Sequence, residues 1–165
     1  MNRLILFRHG KAEPDSYSGD DFDRRLTPDG ALESAATGAA LAEMGFAPDV
    51  VLVSPAARTR ETWVALAPYF PQAKADFEND LYNADSRDIR LAAEDAGETA
   101  GTVMVVGHNP GMHELTLRLA IEGSASSSLA AKAQRNFPTG GAAVFVIGTN
   151  GKPVLDGLFF PERGR

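Results

Sequence analysis

Two histidines and two arginines of this chain have the side chains needed to act on a phosphoryl group. Arg8 and His9 directly follow a short apolar run, and Arg58 and His108 follow two later runs. Guanidinium groups bind phosphoryl oxygens through charge-assisted, often bidentate hydrogen bonds. One imidazole could then attack phosphorus while the other donates a hydrogen bond to a phosphoryl oxygen. Neighbouring arginines disfavour the imidazolium form, so the attacking ring would stay neutral and keep its lone pair near neutral pH.

The apolar runs that precede these residues predict the strands of a largely parallel sheet. Each run is strand-length and lacks polar alternation, which is typical of strands covered on both faces. A further run, residues 154–160, is expected to pair with residues 142–147, because Asn150-Gly151 supplies a tight turn between them. A weaker run predicts an edge strand at residues 73–77. The clearest runs are residues 4–7, 50–53, 103–106 and 142–147.

Helices are predicted between these strands, and residues 14–23 and 123–128 are predicted to be loops. A Thr or Ser just before a proline is typical of a helix start, and Gly45 can end the first helix. The predicted helix starts are Thr27-Pro28, Ser54-Pro55, Ser86 and Asn109-Pro110. The apolar stripe predicted for the first helix comprises Leu32, Ala35, Ala36 and Ala39.

The alternation of strands and helices predicts a three-layer α/β/α fold. Its sheet would be mostly parallel, with an antiparallel strand near the C-terminus. In open sheets of this kind, ligands bind at the carboxyl ends of the strands. Arg8-His9, Arg58 and His108 should therefore meet at one rim of the sheet, although they are far apart in sequence.

Composition narrows the classes of partner and site. The 165 residues fit a single domain, 1–165, and a hydrophobic content of 44% is typical of a globular protein. The formal net charge of -6 argues against a nucleic-acid or anionic-membrane partner. The absence of cysteine excludes disulfides, thiolate zinc sites and cysteine nucleophiles. We find no signal-peptide pattern and no apolar stretch of membrane-spanning length, and we expect a cytoplasmic protein.

The Arg-His-Gly motif at residues 8–10 resembles the signature of the histidine phosphatase superfamily, which has the phosphoglycerate-mutase-like fold. Within that superfamily, the chain is similar to the small SixA-type phosphohistidine phosphatases. One such tripeptide is a weak signal, but further motifs follow in the family's order and span nearly the whole chain. They are Asp23-Arg24-Arg25-Leu26-Thr27-Pro28-Asp29-Gly30, Val53-Ser54-Pro55 with Arg58-Thr59 and Glu61-Thr62, Leu81-Tyr82-Asn83-Ala84, Val106-Gly107-His108-Asn109-Pro110, and Phe137-Pro138-Thr139-Gly140.

This resemblance implies a role for each matching residue. His9 would be the nucleophile that becomes transiently phosphorylated, and water would then hydrolyse phospho-His9. His108, Arg8 and Arg58 would complete the catalytic set. The resemblance implies neither a metal nor a cofactor. The phosphate-binding residues would be Arg8, Arg24, Arg58, His108 and Asn109.

The proton donor and the substrate are left open by the resemblance. Larger members carry a glutamate general acid in a longer insertion, whereas here Glu78 and Asp80 are the nearest carboxylates by position. A phosphohistidine substrate would need less acid help, because imidazole departs more readily than an alkoxide. We therefore expect hydrolysis of phosphohistidine on a protein partner, such as a histidine-phosphotransfer domain. The alternatives are a small-molecule phosphomonoesterase of the same superfamily and a non-catalytic phosphate-binding regulatory module.

Ordinary structural roles are also open for two of the arginines. Arg58 could pair with Glu61 or Glu33 on a helix face. Arg24 lies beside Arg25, and either side chain could be a solvated surface charge.

Overall fold

A computed structural model of the chain describes residues 1–162, which form an α/β structure. No helix within these residues is both long and apolar enough to cross a membrane. The strands are β1 (Arg3–Arg8), β2 (Val50–Val53), β3 (Lys74–Phe77), β4 (Thr102–Gly107), β5 (Ala142–Ile147) and β6 (Pro153–Phe159). The α-helices are α1 (Pro28–Glu43), α2 (Ala57–Leu66), α3 (Ser86–Ala96), α4 (Gly111–Glu122) and α5 (Ser127–Arg135). Short 3-10 turns occupy Asp21–Asp23, Ala67–Tyr69 and Asn79–Leu81.

The strands form one mixed sheet in the order β3-β2-β4-β1-β5-β6. The pairs β2–β3, β2–β4 and β1–β4 are parallel, whereas β5 runs antiparallel to both β1 and β6. At the turn between β5 and β6, Gly151 has a φ of +77° and Asn150 accepts a hydrogen bond from the Lys152 amide at 3.0 Å. The mostly parallel sheet, the antiparallel strand near the C-terminus and the edge position of β3 are confirmed.

The side chains of β1 show how the sheet is covered on both faces. Leu4 and Leu6 belong to a core cluster that includes residues of α3, α4 and α5. Ile5 and Phe7 belong to a second cluster that includes residues of α1 and α2. Because successive strand residues point to opposite faces, helices must lie on both sides of the sheet. The predicted three-layer arrangement is confirmed.

Helix α1 begins and ends where its sequence predicts. Thr27 is the N-cap, and its Oγ1 accepts a hydrogen bond from the Gly30 amide at 2.9 Å. Pro28 is the first helical residue. After the helix, Gly45 has a φ of +77°, a conformation that glycine adopts without steric cost.

The predicted buried face of α1 is wrong. Leu32 is 70% exposed, Ala36 is also exposed, and the residues that are buried are Gly30, Ser34, Thr37, Gly38 and Leu41. A Cβ added at Gly38 would lie 2.7 Å from Leu66 Cδ2 of α2. The two helices thus pack so closely that small residues, rather than the apolar stripe, form the contact face.

Three predicted helix starts are displaced by one or more residues. Helices α2 and α4 begin after Pro55 and Pro110, at Ala57 and Gly111. A residue just before a proline is disfavoured in helical conformation, so Ser54 and Asn109 stay outside the helices. In α3 the cap is Asp85 and not Ser86, because the Asp85 carboxylate accepts a hydrogen bond from the Asp88 amide at 2.9 Å.

Helix α5 is absent from the sequence prediction. The sequence predicts a loop at residues 123–128, but Ser126 caps a helix that begins at Ser127 and runs to Arg135. Ser126 Oγ accepts from the Leu129 amide at 3.4 Å, and Ala133 is buried in the core. The small polar residues therefore mark a helix N-terminus, which is a position that serine favours.

The connections place a crevice at the carboxyl ends of β1 and β4. The helix that follows β1 packs on one face of the sheet, and the helix that follows β4 packs on the other. In open α/β sheets, such a divergence of connections creates a ligand-binding crevice. His9 follows β1 and His108 follows β4, so both histidines lie at this crevice.

Candidate active site

One ring nitrogen of His9 is hydrogen-bonded to the backbone. Its Nδ1 lies 2.6 Å from the carbonyl oxygen of Gly10. Because a carbonyl oxygen can only accept a hydrogen bond, Nδ1 must carry the proton. In a neutral ring, the lone pair is then on Nε2, the nitrogen that can attack an electrophile.

The environment of His9 keeps its ring neutral. Burial, together with the smaller effects of the charges of His108, Arg58 and Arg8, lowers the pKa of His9 to about 3, although the hydrogen bond to Gly10 opposes this shift. Burying a cationic ring without an anionic partner is unfavourable, and nearby positive charges add to that cost. At neutral pH the ring therefore has the protonation state that a nucleophile requires.

His108 lies beside His9, with 5.3 Å between the ring centroids and 57° between the planes. Burial, followed by the charge of Arg58, lowers the pKa of His108 to about 4. Its Nε2 is 2.7 Å from the Oγ of the buried Ser54, and the ring of Tyr82 meets it edge-on at 5.7 Å. Ser54 and Tyr82 thus fix the orientation of the second histidine.

Arg58 enters the site from the first turn of α2 and is buried. Its two terminal nitrogens donate hydrogen bonds to Asp21, at 2.8 Å to the main-chain oxygen and 3.0 Å to Oδ2. Its ion-pair partner is Asp21, whereas Glu61 accepts from Arg25 at 2.8 Å and from the Leu26 amide at 2.8 Å. The Arg58 side chain therefore binds the loop at the rim of the sheet and does not form an ion pair along the face of α2.

Arg8 and Asn109 share an anchor in the segment before β5. The Nη1 of Arg8 donates to the carbonyl oxygen of Phe137 at 3.0 Å, and the Asn109 side-chain amide donates to the same oxygen at 3.1 Å. The Asn109 side-chain oxygen also accepts from the His113 amide at 3.2 Å. Through the Phe137 carbonyl, the end of β1 and the segment after β4 are linked to one another.

Arg24 lies at the edge of the same site. Its Nη1 donates to Asp21 Oδ1 at 2.9 Å, and its Nε donates to the Glu13 carbonyl oxygen at 2.7 Å. Arg25 points elsewhere and pairs with Glu61. Of the two adjacent arginines, Arg24 is thus the one linked to Arg58, through their shared contact with Asp21.

Two glycines allow the backbone to pass closely around His9. A Cβ at Gly10 would lie 2.5 Å from the Gly30 carbonyl oxygen and 2.6 Å from Ser34 Oγ. Gly140 has a φ of +73°, and its amide lies within hydrogen-bond distance of the carbonyl oxygens of Arg8 and His9, at 3.0 and 2.9 Å. A side chain would clash at Gly10, and the positive φ favours glycine at Gly140, so glycine suits both positions beside His9.

Glu78 and Asp80 lie apart from the histidines. Both are exposed, and with Asp88 and Leu91 they line a separate depression of about 470 Å³. Glu78 directly follows β3, which β2 and β4 separate from β1. At roughly 4.8 Å per strand, β3 is about 14 Å from β1. The structure therefore places these carboxylates after an edge strand, in a depression that neither His9 nor His108 lines.

Sequence reasoning did not select Ser54, Tyr82 or Asp21 as parts of the site. Ser54 and Tyr82 lie in motifs that the sequence does reveal, so their positions at the rim were a usable signal. Asp21 is one of three carboxylates in Asp20-Asp21-Phe22-Asp23, and nothing in the local pattern distinguishes it from its neighbours. Within residues 1–162, no group of three or more His, Asp or Glu residues is arranged to hold a metal ion.

The chain is similar to known proteins in sequence and in fold. The chain is 34% identical over 141 residues to an uncharacterized protein of Mycobacterium tuberculosis, which covers 85% of this chain and 86% of that protein. It is 32% identical to a solved structure named as a candidate phosphohistidine phosphatase SixA of Agrobacterium tumefaciens, with a TM-score of 0.82 and coverage of 97% and 98%. A corresponding SixA structure from Nakamurella multipartitia gives 31% identity, a TM-score of 0.84 and coverage of 97% and 96%.

The family model for branch 1 of the histidine phosphatase superfamily matches residues 4–88. This segment begins in β1, includes the Arg-His-Gly motif and Arg58, and ends in α3. The superfamily resemblance seen in the sequence is confirmed, and so is the similarity to SixA proteins. The chain belongs to the histidine phosphatase superfamily, branch 1.

Proposed function

We propose that this chain is a phosphatase that hydrolyses phosphohistidine on a protein partner, with His9 as the nucleophile and without a metal. The observation that carries the proposal is the hydrogen bond from His9 Nδ1 to the Gly10 carbonyl. It leaves a neutral ring with its lone pair on Nε2, next to His108 and within the electrostatic field of Arg58 and Arg8. Such a ring is a ready nucleophile beside groups that attract an anion.

In the first step, the lone pair of His9 Nε2 forms a bond to phosphorus as the substrate's nitrogen–phosphorus bond breaks in line with it. The bonding pair goes to the leaving imidazole nitrogen, which takes a proton from solvent. Arg8, Arg58 and His108 bind the phosphoryl oxygens while charge redistributes over them. Phosphoryl transfer depends mainly on such positioning and electrostatic stabilisation.

In the second step, water attacks phosphorus of phospho-His9 from the side that the substrate has left. The bond between Nε2 and phosphorus breaks, and its electron pair returns to His9. Water loses one proton to solvent, and inorganic phosphate is released. The free enzyme is restored with His9 in its original neutral form.

The positions of the two candidate proton donors support the choice of substrate. Glu78 and Asp80 follow β3, and the strand spacing puts β3 about 14 Å from β1. A sugar or serine alkoxide would need a strong proton donor to leave, whereas imidazole leaves with far less help. The names of the similar Agrobacterium and Nakamurella structures point to the same substrate.

The test is incubation of the chain with a phosphorylated histidine-phosphotransfer domain, with p-nitrophenyl phosphate and sugar phosphates in parallel. We expect phosphate release from the phosphodomain and acid-labile labelling of the wild-type protein that is absent in His9→Asn. Brisk turnover of sugar phosphates with none of the phosphodomain would reject the phosphohistidine substrate. Phosphate binding without labelling or turnover of any substrate would indicate a non-catalytic binding module.

A further inference from the structure

Asp21 connects three parts of the chain around the two histidines. It begins the 3-10 turn Asp21–Asp23, in the loop between β1 and α1. Its main-chain oxygen and its carboxylate together accept hydrogen bonds from Arg58, Arg24 and Tyr82. These partners come from α2, from the end of the same loop, and from the segment after β3.

The contact with Arg58 fixes the plane of a buried guanidinium group. One terminal nitrogen donates to Asp21 O at 2.8 Å and the other to Oδ2 at 3.0 Å. Two anchors from a single residue restrain both rotation about the last side-chain bond and tilt of the plane. The guanidinium keeps further N–H donors for a phosphoryl group.

The hydrogen bond between Tyr82 and the Asp21 carboxylate links Asp21 to His108. Tyr82 donates its hydroxyl proton to Asp21 Oδ2 at 2.7 Å, while its ring meets His108 edge-on at 5.7 Å and Phe22 edge-on at 5.0 Å. The position of Asp21 thus determines where Arg58 points and also where the Tyr82 ring rests against His108.

Asp21 could more simply be a proton donor or a member of an ordinary surface ion pair, but neither role agrees with these contacts. The hydrogen bonds from Tyr82, Arg24 and Arg58 hold the pKa of the Asp21 carboxyl well below its usual range, so it has no proton to donate. An ion pair between two exposed side chains contributes little to stability. In this pair the Asp21 side chain is 49% exposed, but the Arg58 side chain is only 7% exposed. The pair joins an accessible loop to a buried cation of the candidate site.

We infer that Asp21 is a positioning residue for phosphoryl transfer, which orients Arg58 toward the phosphoryl group and holds Tyr82 against His108. This inference rests on the proposed phosphatase activity. Loss of the carboxylate would let the Arg58 guanidinium turn, which weakens binding of the transition state. It would also remove a negative charge near the bound phosphoryl group, so binding of the ground-state anion would weaken little or improve.

The kinetic test compares Asp21→Asn with Asp23→Asn. Asp23 lies in the same turn, but its carboxylate accepts from Ser18 at 2.6 Å and from neither Arg24 nor Arg58. We expect Asp21→Asn to lower kcat by about tenfold or more, with the inhibition constant of inorganic phosphate within about threefold of wild type or tighter. Asp23→Asn should keep wild-type kcat. A kcat of Asp21→Asn within about twofold of wild type would overturn the inference.

A second measurement reads the orientation of Arg58 directly and does not need turnover. The Arg58 Nε–H resonance, assigned by its loss in Arg58→Lys, should be sharp in wild type and broadened or shifted in Asp21→Asn. An unchanged resonance would overturn the inference even if kcat fell. Absence of turnover in wild type would instead reject the proposed phosphatase activity, and the resonance would still decide whether Asp21 orients Arg58.

Discussion

The imidazole rings of His9 and His108 lie 5.3 Å apart between their centroids, although the residues are separated by most of the chain. Each ring has one nitrogen in a short contact with the protein, at Gly10 O for His9 and at Ser54 Oγ for His108. Both rings are buried next to Arg58, which disfavours their charged forms. One polar environment thus fixes the orientation and the protonation state of both groups.

Stability should fall when these two histidines are forced to ionise. Their folded-state pKa values, about 3 for His9 and about 4 for His108, lie below the unfolded value of 6.5. The unfolded chain therefore binds more protons below that value, so the stabilisation is present above it and is lost as pH falls toward the folded values. We expect the free energy of unfolding to drop by about 2 kcal/mol per histidine between about pH 7 and about pH 5, measured by urea denaturation.

The control for this pH effect removes both titrating rings. In His9→Asn the side-chain amide can still donate to the Gly10 carbonyl, and in His108→Gln it can still reach Ser54. The double variant should show a much shallower decline over the same pH range. An equally steep decline would assign the protons to other groups.

Arg58→Lys should abolish most turnover while the fold persists. Lysine keeps the charge but cannot bind Asp21 and a phosphoryl group with a planar, multiply donating head. We expect kcat/KM to fall by about 100-fold or more, with the thermal transition still cooperative. Arg60→Ala is the matched control, because Arg60 is an exposed arginine of the same helix whose Nε donates to Pro55 O at 2.8 Å. Loss of a cooperative melt in Arg58→Lys would show that Arg58 is mainly structural.

The strands and the position of the rim were predictable because they depend on local sequence. Continuous apolar runs identify buried strands. The residues that follow each run lie at the end of that strand, whichever way the helices pack. The buried face of α1 was not predictable, since it depends on the close approach of Gly38 to Leu66. The part played by Asp21 was not predictable either, because its partners Arg58 and Tyr82 lie far away in sequence and only the completed sheet brings them together.

Gly10→Ala should destabilise the fold and disturb the nucleophile together. The new Cβ would lie 2.5 Å from the Gly30 carbonyl oxygen, which belongs to helix backbone and cannot turn aside. We expect a loss of about 1–3 kcal/mol in the free energy of unfolding. The His9 ring should also shift, because its Nδ1 is bound to the carbonyl of the displaced residue. Urea denaturation and turnover measured on the same samples check both effects.

The control for Gly10→Ala is Gly101→Ala, at the residue just before β4. There the nearest heavy atom to an added Cβ is Asp49 Oδ2 at 3.3 Å, an atom at the end of a side chain. Its free energy of unfolding should change by less than about 1 kcal/mol, and turnover should be unaffected. A similar loss in both variants would mean that the Gly10 contact with α1 carries no special constraint.

Glu78 and Asp80 should be dispensable if the substrate is phosphohistidine. The strand order places β3 about 14 Å from β1, and both carboxylates line a depression with residues of α3. We expect the double variant Glu78→Gln/Asp80→Asn to hydrolyse a phosphohistidine domain within about threefold of the wild-type rate. The same preparation should be assayed with p-nitrophenyl phosphate, whose leaving group also needs little protonation. A loss of tenfold or more, on the order expected for removal of a general acid, would mean that the segment after β3 moves to the histidines during turnover and would make one of these carboxylates the proton donor.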